Sequence, residues 1–131
     1  MRVWSKDKIR KSFQHVDNHH FDSYRLLVSD DGAIYSVHDT IIRSGETLNI
    51  CYKYQEEFVY IISGTGYVDD FFSGVRHVLY PGVCYYLSIG DGHELHAITD
   101  LRGICIFTPP TRGDEVHDEA GGYPPIDDLV E

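Results

Sequence analysis

Turn residues set the first limit on what this chain can fold into. From Arg25 onward, Gly or Pro, often beside Asp or Ser, recurs about every eight to twelve residues. Between these points lie short runs rich in β-branched, aromatic and aliphatic side chains: 25–29, 33–42, 47–53, 58–62, 67–72, 75–80, 83–87, 93–99 and 103–107. Branched and aromatic residues suit a pleated, half-buried surface. The turns are equally plain: Asp30-Asp31-Gly32, Ser44-Gly45-Glu46, Ser63-Gly64-Thr65-Gly66, Ser73-Gly74, Pro81-Gly82 and Ile89-Gly90-Asp91-Gly92. No long segment of helical period competes with this rhythm. The spacing predicts an all-β chain of about nine short antiparallel strands, closed into a sandwich or barrel. Residues 1–24 are mixed and polar, and read as a short strand or helix with a loop ahead of the barrel. Residues 108–131 carry Pro109-Pro110 and Pro124-Pro125 and few apolar residues. They form a tail that packs across the barrel mouth or is partly disordered.

At 131 residues the chain has the size of one domain, 1–131. The formal net charge of −10 argues against nucleic acid and against an anionic membrane surface, both of which need a basic face. The tail contributes strongly to it through Asp114, Glu115, Asp118, Glu119, Asp127, Asp128 and Glu131. No run approaches the roughly 20 apolar residues of a membrane helix. The start, Met1-Arg2-Val3-Trp4-Ser5-Lys6, lacks the apolar core of a signal peptide, so a cytoplasmic protein is expected. The three cysteines, Cys51, Cys84 and Cys105, are odd in number, widely spaced and outside any Cys-x-x-Cys pair. They read as reduced thiols rather than a disulfide framework or a structural zinc site. The ten tyrosines exceed ordinary usage, and are expected to fill the barrel or build a dimer face.

In a small barrel, inward side chains from neighbouring strands converge on one cavity, and polar ones among them can hold a metal. One spacing resembles the first motif of the cupins: Gly, five residues, His-x-His, three or four residues, Glu, six residues, Gly. Gly45, Cys51-Tyr52-Lys53, Glu57 and Gly64 reproduce it, with Cys51 and Lys53 in place of the histidines. The second cupin motif runs Pro-x-Gly, two residues, His. Here Pro81-Gly82 is followed after two residues by Tyr85. Taken singly, a strand glutamate such as Glu57, a tyrosine such as Tyr85 or a loop histidine such as His93 is ordinary surface or core. The cupin spacing singles out Glu57 and the position of Tyr85 as candidate ligands, and not His93.

The tail narrows the resemblance. Phe107-Thr108-Pro109-Pro110-Thr111-Arg112-Gly113-Asp114-Glu115-Val116-His117-Asp118-Glu119, followed by Tyr123-Pro124-Pro125, resembles the end of the ectoine synthases. That family departs from the two-histidine cupin pattern in the same way. The likeness extends back through Pro81-Gly82, Glu57-x-Val59-Tyr60, Tyr52-Lys53 and Asp22-Ser23-x-Arg25-Leu26-Leu27, over roughly residues 20 to 128. It implies a cupin-type, jelly-roll-like β-barrel and a carbon–oxygen lyase that closes N-γ-acetyl-L-2,4-diaminobutyrate to ectoine with loss of water. Ectoine is a compatible solute used against osmotic stress.

The resemblance implies a divalent metal, iron(II), on Glu57, Tyr85 and His93. It implies a substrate pocket of Phe21, Arg25, Thr40, Tyr52, Phe107, Glu115 and His117, with catalytic roles for Tyr52, Glu115 and His117, and a homodimer. Several positions depart from the family: Phe21 stands where it usually has tryptophan, Tyr54-Gln55 replaces Asn-His, and Asn49 and Cys51 replace a frequent His-x-His. Two other expectations follow from those departures: action on a different N-acyl diamino acid, or a non-catalytic small-molecule-binding cupin. A cupin dioxygenase is disfavoured, because the usual histidine cluster is missing from the first motif.

Overall fold

The computed structural model describes residues 1–125; Asp127, Asp128 and Glu131 of the acidic tail lie outside them. A single-turn helix, α1 (Lys6–Arg10), precedes ten strands: β1 (His15–Asp17), β2 (Phe21–Leu27), β3 (Ser36–Ile42), β4 (Thr47–Ile50), β5 (Glu56–Ser63), β6 (Gly66–Asp70), β7 (Arg76–Leu79), β8 (Cys84–Leu87), β9 (His93–Ala97) and β10 (Leu101–Thr108). They make a six-stranded sheet in the order β1-β2-β3-β10-β5-β8 and a four-stranded sheet in the order β4-β9-β6-β7. Every pairing is antiparallel.

Two-residue alternation decides what the sheets hold between them. On β4, Leu48 and Ile50 are buried while Thr47 and Asn49 are exposed. On β5, Glu57, Val59 and Ile61 point inward, while Phe58 and Tyr60 face out. On β9, His93, Leu95 and Ala97 are buried in the same way. Apolar side chains from both sheets form one core with Phe21, Phe107 and Tyr123. Glu57 and His93 therefore occupy core positions in their strands, where a charged or polar residue needs a partner.

The N-terminal extension is more structured than its polar sequence suggests. The Ser5 hydroxyl caps α1 by accepting from the Lys8 N–H at 3.1 Å, and Ile9 buries the helix against the sheet. β2 begins at Phe21 rather than Arg25, because Asn18 makes a turn without Gly or Pro. Its side-chain oxygen accepts from the N–H groups of His20 (2.9 Å) and Phe21 (3.0 Å). After β4 the chain leaves the sheet earlier than expected, since the Cys51 N–H donates instead to Gly121 of the tail at 3.0 Å. That contact needs glycine. Gly121 has φ +81°, and a Cβ there would stand 2.2 Å from the carbonyl oxygen of Asn49. The tail through residue 125 thus lies along residues 49–52.

Candidate active site

The space between the sheets contains a cavity of about 50 Å³, lined by side chains of both sheets and by His117 and Tyr123 of the tail. β2 contributes Phe21, Ser23 and Arg25 to it, three residues on one face of one strand.

Arg25 is fully buried. Its Nε donates to Ser23 Oγ at 2.8 Å, its Nη1 donates to the Gly113 carbonyl at 3.2 Å, and its Nη2 has no partner. Among the described residues no carboxylate pairs with it. The rings of Phe21 and Tyr123 each lie 5.9 Å from the guanidinium carbon. A buried, preoriented guanidinium with a free N–H is costly alone and suited to an incoming carboxylate. Ser23 is fixed in turn by Thr40, the two hydroxyls lying 2.7 Å apart.

Across the cavity the Tyr52 hydroxyl lies 2.8 Å from His117 Nε2. Tyr123 stacks on the His117 ring, centroids 4.8 Å apart and planes 5° from parallel, and Phe21 meets the same ring edge-on at 5.9 Å. Burial, reinforced by the positive charge of Arg25, lowers the His117 pKa to about 4. Burial likewise lifts the Tyr52 phenol well above its ordinary value. At neutral pH the pair is an uncharged imidazole facing an uncharged phenol. Phe107, almost wholly buried, packs edge-on against Tyr52 at 5.1 Å.

Glu57 and Tyr85 come from adjacent strands, with Val59 opposite Tyr85 and Glu57 opposite Leu87. Both line the cavity, and Tyr85 also lines an outer cleft that includes His93. Burial raises the Glu57 carboxyl to about 8, opposed only by a hydrogen bond with the Cys105 thiol, and pushes the Tyr85 phenol far up. His93 is 2 % exposed; its Nδ1 bonds to the Asp91 carbonyl at 3.0 Å, while its buried Nε2 has no partner. A carboxyl, a phenol and an imidazole nitrogen without a partner are residue types that suit a divalent ion; Glu57 and Tyr85 line the inner cavity, Tyr85 and His93 the outer cleft. The carbonyl bond to the opposite ring nitrogen is the usual support of a metal-binding histidine.

Glu115 is placed differently from its expected neighbours. It is buried, but its oxygens accept from the backbone N–H groups of Arg112 (2.7 Å) and Gly113 (2.8 Å), and it does not line the cavity. Phe21, Arg25, Thr40, Tyr52, Phe107 and His117 do line it.

The structure adds residues that sequence reasoning missed: Ser23, Cys105, Tyr123 and His38. His38 Nε2 lies 2.8 Å from Thr111 Oγ1, and the Thr111 hydroxyl donates to Ser36 Oγ at 3.0 Å. Burial holds the His38 pKa well below the ordinary value. Ser23 and His38 could have been found from alternation, since each is two residues from a named pocket residue, Arg25 and Thr40. No such signal marks Tyr123, which reaches the cavity through the tail. On the outer surface His15, Asp17 and Asp22 also cluster, with His15 Nε2 2.6 Å from Asp22 Oδ1.

Two facing antiparallel sheets with polar side chains gathered in one inner cavity define the cupin class. A solved RmlC-like cupin from Shewanella frigidimarina shares the fold, with a TM-score of 0.59 at 15 % identity over 72 % of this chain and 81 % of that one. Within that class the likeness is specific. The ectoine synthase family profile matches residues 1–127. An L-ectoine synthase from Sphingopyxis alaskensis is 40 % identical over 130 residues, 99 % of this chain and 95 % of that protein. The crystal structure of ectoine synthase from P. lautus superposes with a TM-score of 0.84 at 36 % identity, covering 92 % of this chain and 87 % of that one. The chain belongs to the ectoine synthase family, and it is an enzyme of the carbon–oxygen lyase class.

Proposed function

We propose that the chain closes N-γ-acetyl-L-2,4-diaminobutyrate to ectoine, releasing water. The observation that carries this reading is Arg25: a buried guanidinium that has, among the described residues, an unpartnered Nη2 and no carboxylate of its own, inside an otherwise mostly apolar and aromatic cavity. Such a site suits a small amino-acid-derived molecule that brings the missing carboxylate.

Ring closure joins the α-amine nitrogen to the acetyl carbon and breaks that carbon's bond to oxygen. The ammonium nitrogen gives up two protons in all, and the leaving oxygen takes up two. His117, uncharged because it is buried beside Arg25, accepts a proton at Nε2 through the Tyr52 hydroxyl, which takes one from the ammonium as it gives up its own, and the pair hands each proton on to the leaving oxygen in turn. Arg25, held by Ser23 and the Gly113 carbonyl, grips the carboxylate. Thr40 supports Ser23, while Phe21, Phe107 and Tyr123 exclude water and hold the folded substrate. Positioning supplies a large share of the rate in an intramolecular closure. Glu115 fixes the 112–113 peptide units and so the segment that delivers His117.

Glu57, Tyr85 and His93 would hold a divalent metal, read as iron(II), whose Lewis acidity would polarise the acetyl oxygen. The buried Glu57 carboxyl and the unpartnered Nε2 of the buried His93 support this assignment. We read the enzyme further as a cytoplasmic homodimer serving osmotic protection. The exposed Phe58, Tyr60 and Tyr86 on the outer face of β5 and β8 support a self-association surface. The test is direct: purified protein, loaded with iron(II), should convert the N-γ-acetyl compound to ectoine. Substrate bound without conversion would favour the non-catalytic alternative.

A further inference from the structure

A second cleft, outside the substrate cavity, reaches two of the three candidate ligands, Tyr85 and His93. Its volume is about 260 Å³, and Asp70, Phe72, His77, Asp91 and His93 are among the residues that line it. Tyr85 lines both spaces and is the wall between them. His93 lines the outer cleft rather than the inner cavity, and its buried Nε2 has no partner.

The two routes to these ligands differ in charge. Asp70 lies at the end of β6 opposite His93, and its carboxylate accepts from the Ser73 hydroxyl and the Phe72 N–H. Each Asp70 oxygen accepts one such bond, at 3.0 Å from Phe72 N and 2.8 Å from Ser73 Oγ. Asp91 Oδ2 accepts one from Ser88 N at 2.8 Å. An ionised carboxylate has about four acceptor positions, so both keep lone pairs for a hydrated cation. Both also act electrostatically on His93, and His77 lies close enough to act on Asp70. The inner route runs beneath the tail, past the buried Arg25 guanidinium and a ring of aromatic side chains. A divalent cation is repelled there and finds few oxygens to replace its water.

We propose that the outer cleft is the loading port for the divalent metal, with Asp70, His77 and Asp91 as transient ligands that pass the ion to His93. The metal and the substrate then reach the centre by different doors. This inference rests on the metal reading of Glu57, Tyr85 and His93.

The test is the rate of metal uptake. Chelator-stripped wild type and the Asp70→Asn/Asp91→Asn double variant are mixed with Co(II). Protein fluorescence quenching gives the rate, and atomic absorption gives the cobalt bound at the end. The double variant should load about tenfold more slowly, in keeping with lost electrostatic steering, and reach the same final content. His77→Gln should slow loading by a smaller factor, which keeps the test available if the double variant folds poorly. Glu119 and His20 line the cleft beside the tail, and Glu46 Oε2 lies 2.9 Å from His20 Nδ1, so Glu46→Gln/Glu119→Gln removes as many charges there and should load at the wild-type rate. Wild-type loading kinetics in the Asp70/Asp91 variant, or an equal slowing in the Glu46/Glu119 variant, would overturn the port. Wild type that binds no cobalt would overturn the metal reading itself.

Discussion

Arg25 concentrates the chemistry at the scale of one residue. Its side chain is held by one hydroxyl and one carbonyl, so its geometry is set before any ligand arrives. Arg25→Met keeps the length and removes the charge. It should lower kcat/KM by roughly 10- to 150-fold, the worth of a charged hydrogen bond of about 1.5–3 kcal/mol, chiefly through KM. Steady-state kinetics on the N-γ-acetyl substrate checks this; an unchanged KM would remove Arg25 from substrate recognition. The His117–Tyr52 pair belongs to the chemical step. His117→Gln and Tyr52→Phe should each cut kcat by about 10²- to 10⁴-fold with little change in KM. Arg25 was legible from its place in the tail-linked resemblance and by residue type. His38, which lines the same cavity, was within reach of alternation, but its partner Thr111 was not, because a lone strand histidine carries no signal of a partner 73 positions away.

The tail is the element that completes the site, and glycine lets it do so. Gly121 and Gly122 lie so close to the carbonyls of Asn49 and Cys51 that a Cβ would stand at 2.2 and 2.6 Å. Gly121→Ala should lift the tail, remove Tyr123 from the His117 ring and expose residues 114–125 to limited proteolysis, while the circular dichroism of the sheets stays unchanged. Glu115 belongs to the same element. If it only fixes the tail, Glu115→Gln raises proteolytic nicking along with any loss of kcat; a direct proton shuttle would lose kcat with the tail still protected. The strands were legible in the sequence because turn residues and two-residue alternation are local signals. The docking of residues 108–125 was legible only as one of two outcomes, since prolines and acidic residues mark a non-strand segment without saying what it covers. The β1–β2 turn was missed because Asn18 does through its side chain what Gly or Pro does elsewhere.

For the whole molecule, buried histidines tie stability to pH. His117 has a folded pKa of about 4 against an ordinary 6.5, and that of His38 is also well lowered. Between those values the unfolded chain binds the proton that the folded chain refuses, so the stability these histidines contribute is lost as pH drops from about 6.5 toward 4. Glu57, raised to about 8, works the other way over the same range, because its buried carboxyl already holds the proton that the unfolded chain takes up only near 4.5. From pH 7 to 5 the His117 contribution alone should be on the order of 2 kcal/mol. Urea unfolding of wild type and His117→Gln at the two pH values measures it as a difference: wild type should lose about 2 kcal/mol relative to the variant between pH 7 and 5. The same burial keeps the imidazole uncharged and able to accept a proton in neutral solution, which joins the cost in acid to the chemistry.

Ring closure itself is most directly tested by proton NMR of N-γ-acetyl-L-2,4-diaminobutyrate incubated with the purified, iron(II)-loaded protein. The acetyl methyl signal should be replaced by the ring methyl signal of ectoine, with Arg25→Met and His117→Gln both strongly slowed. An unchanged substrate spectrum in the presence of folded protein carrying its metal would contradict it.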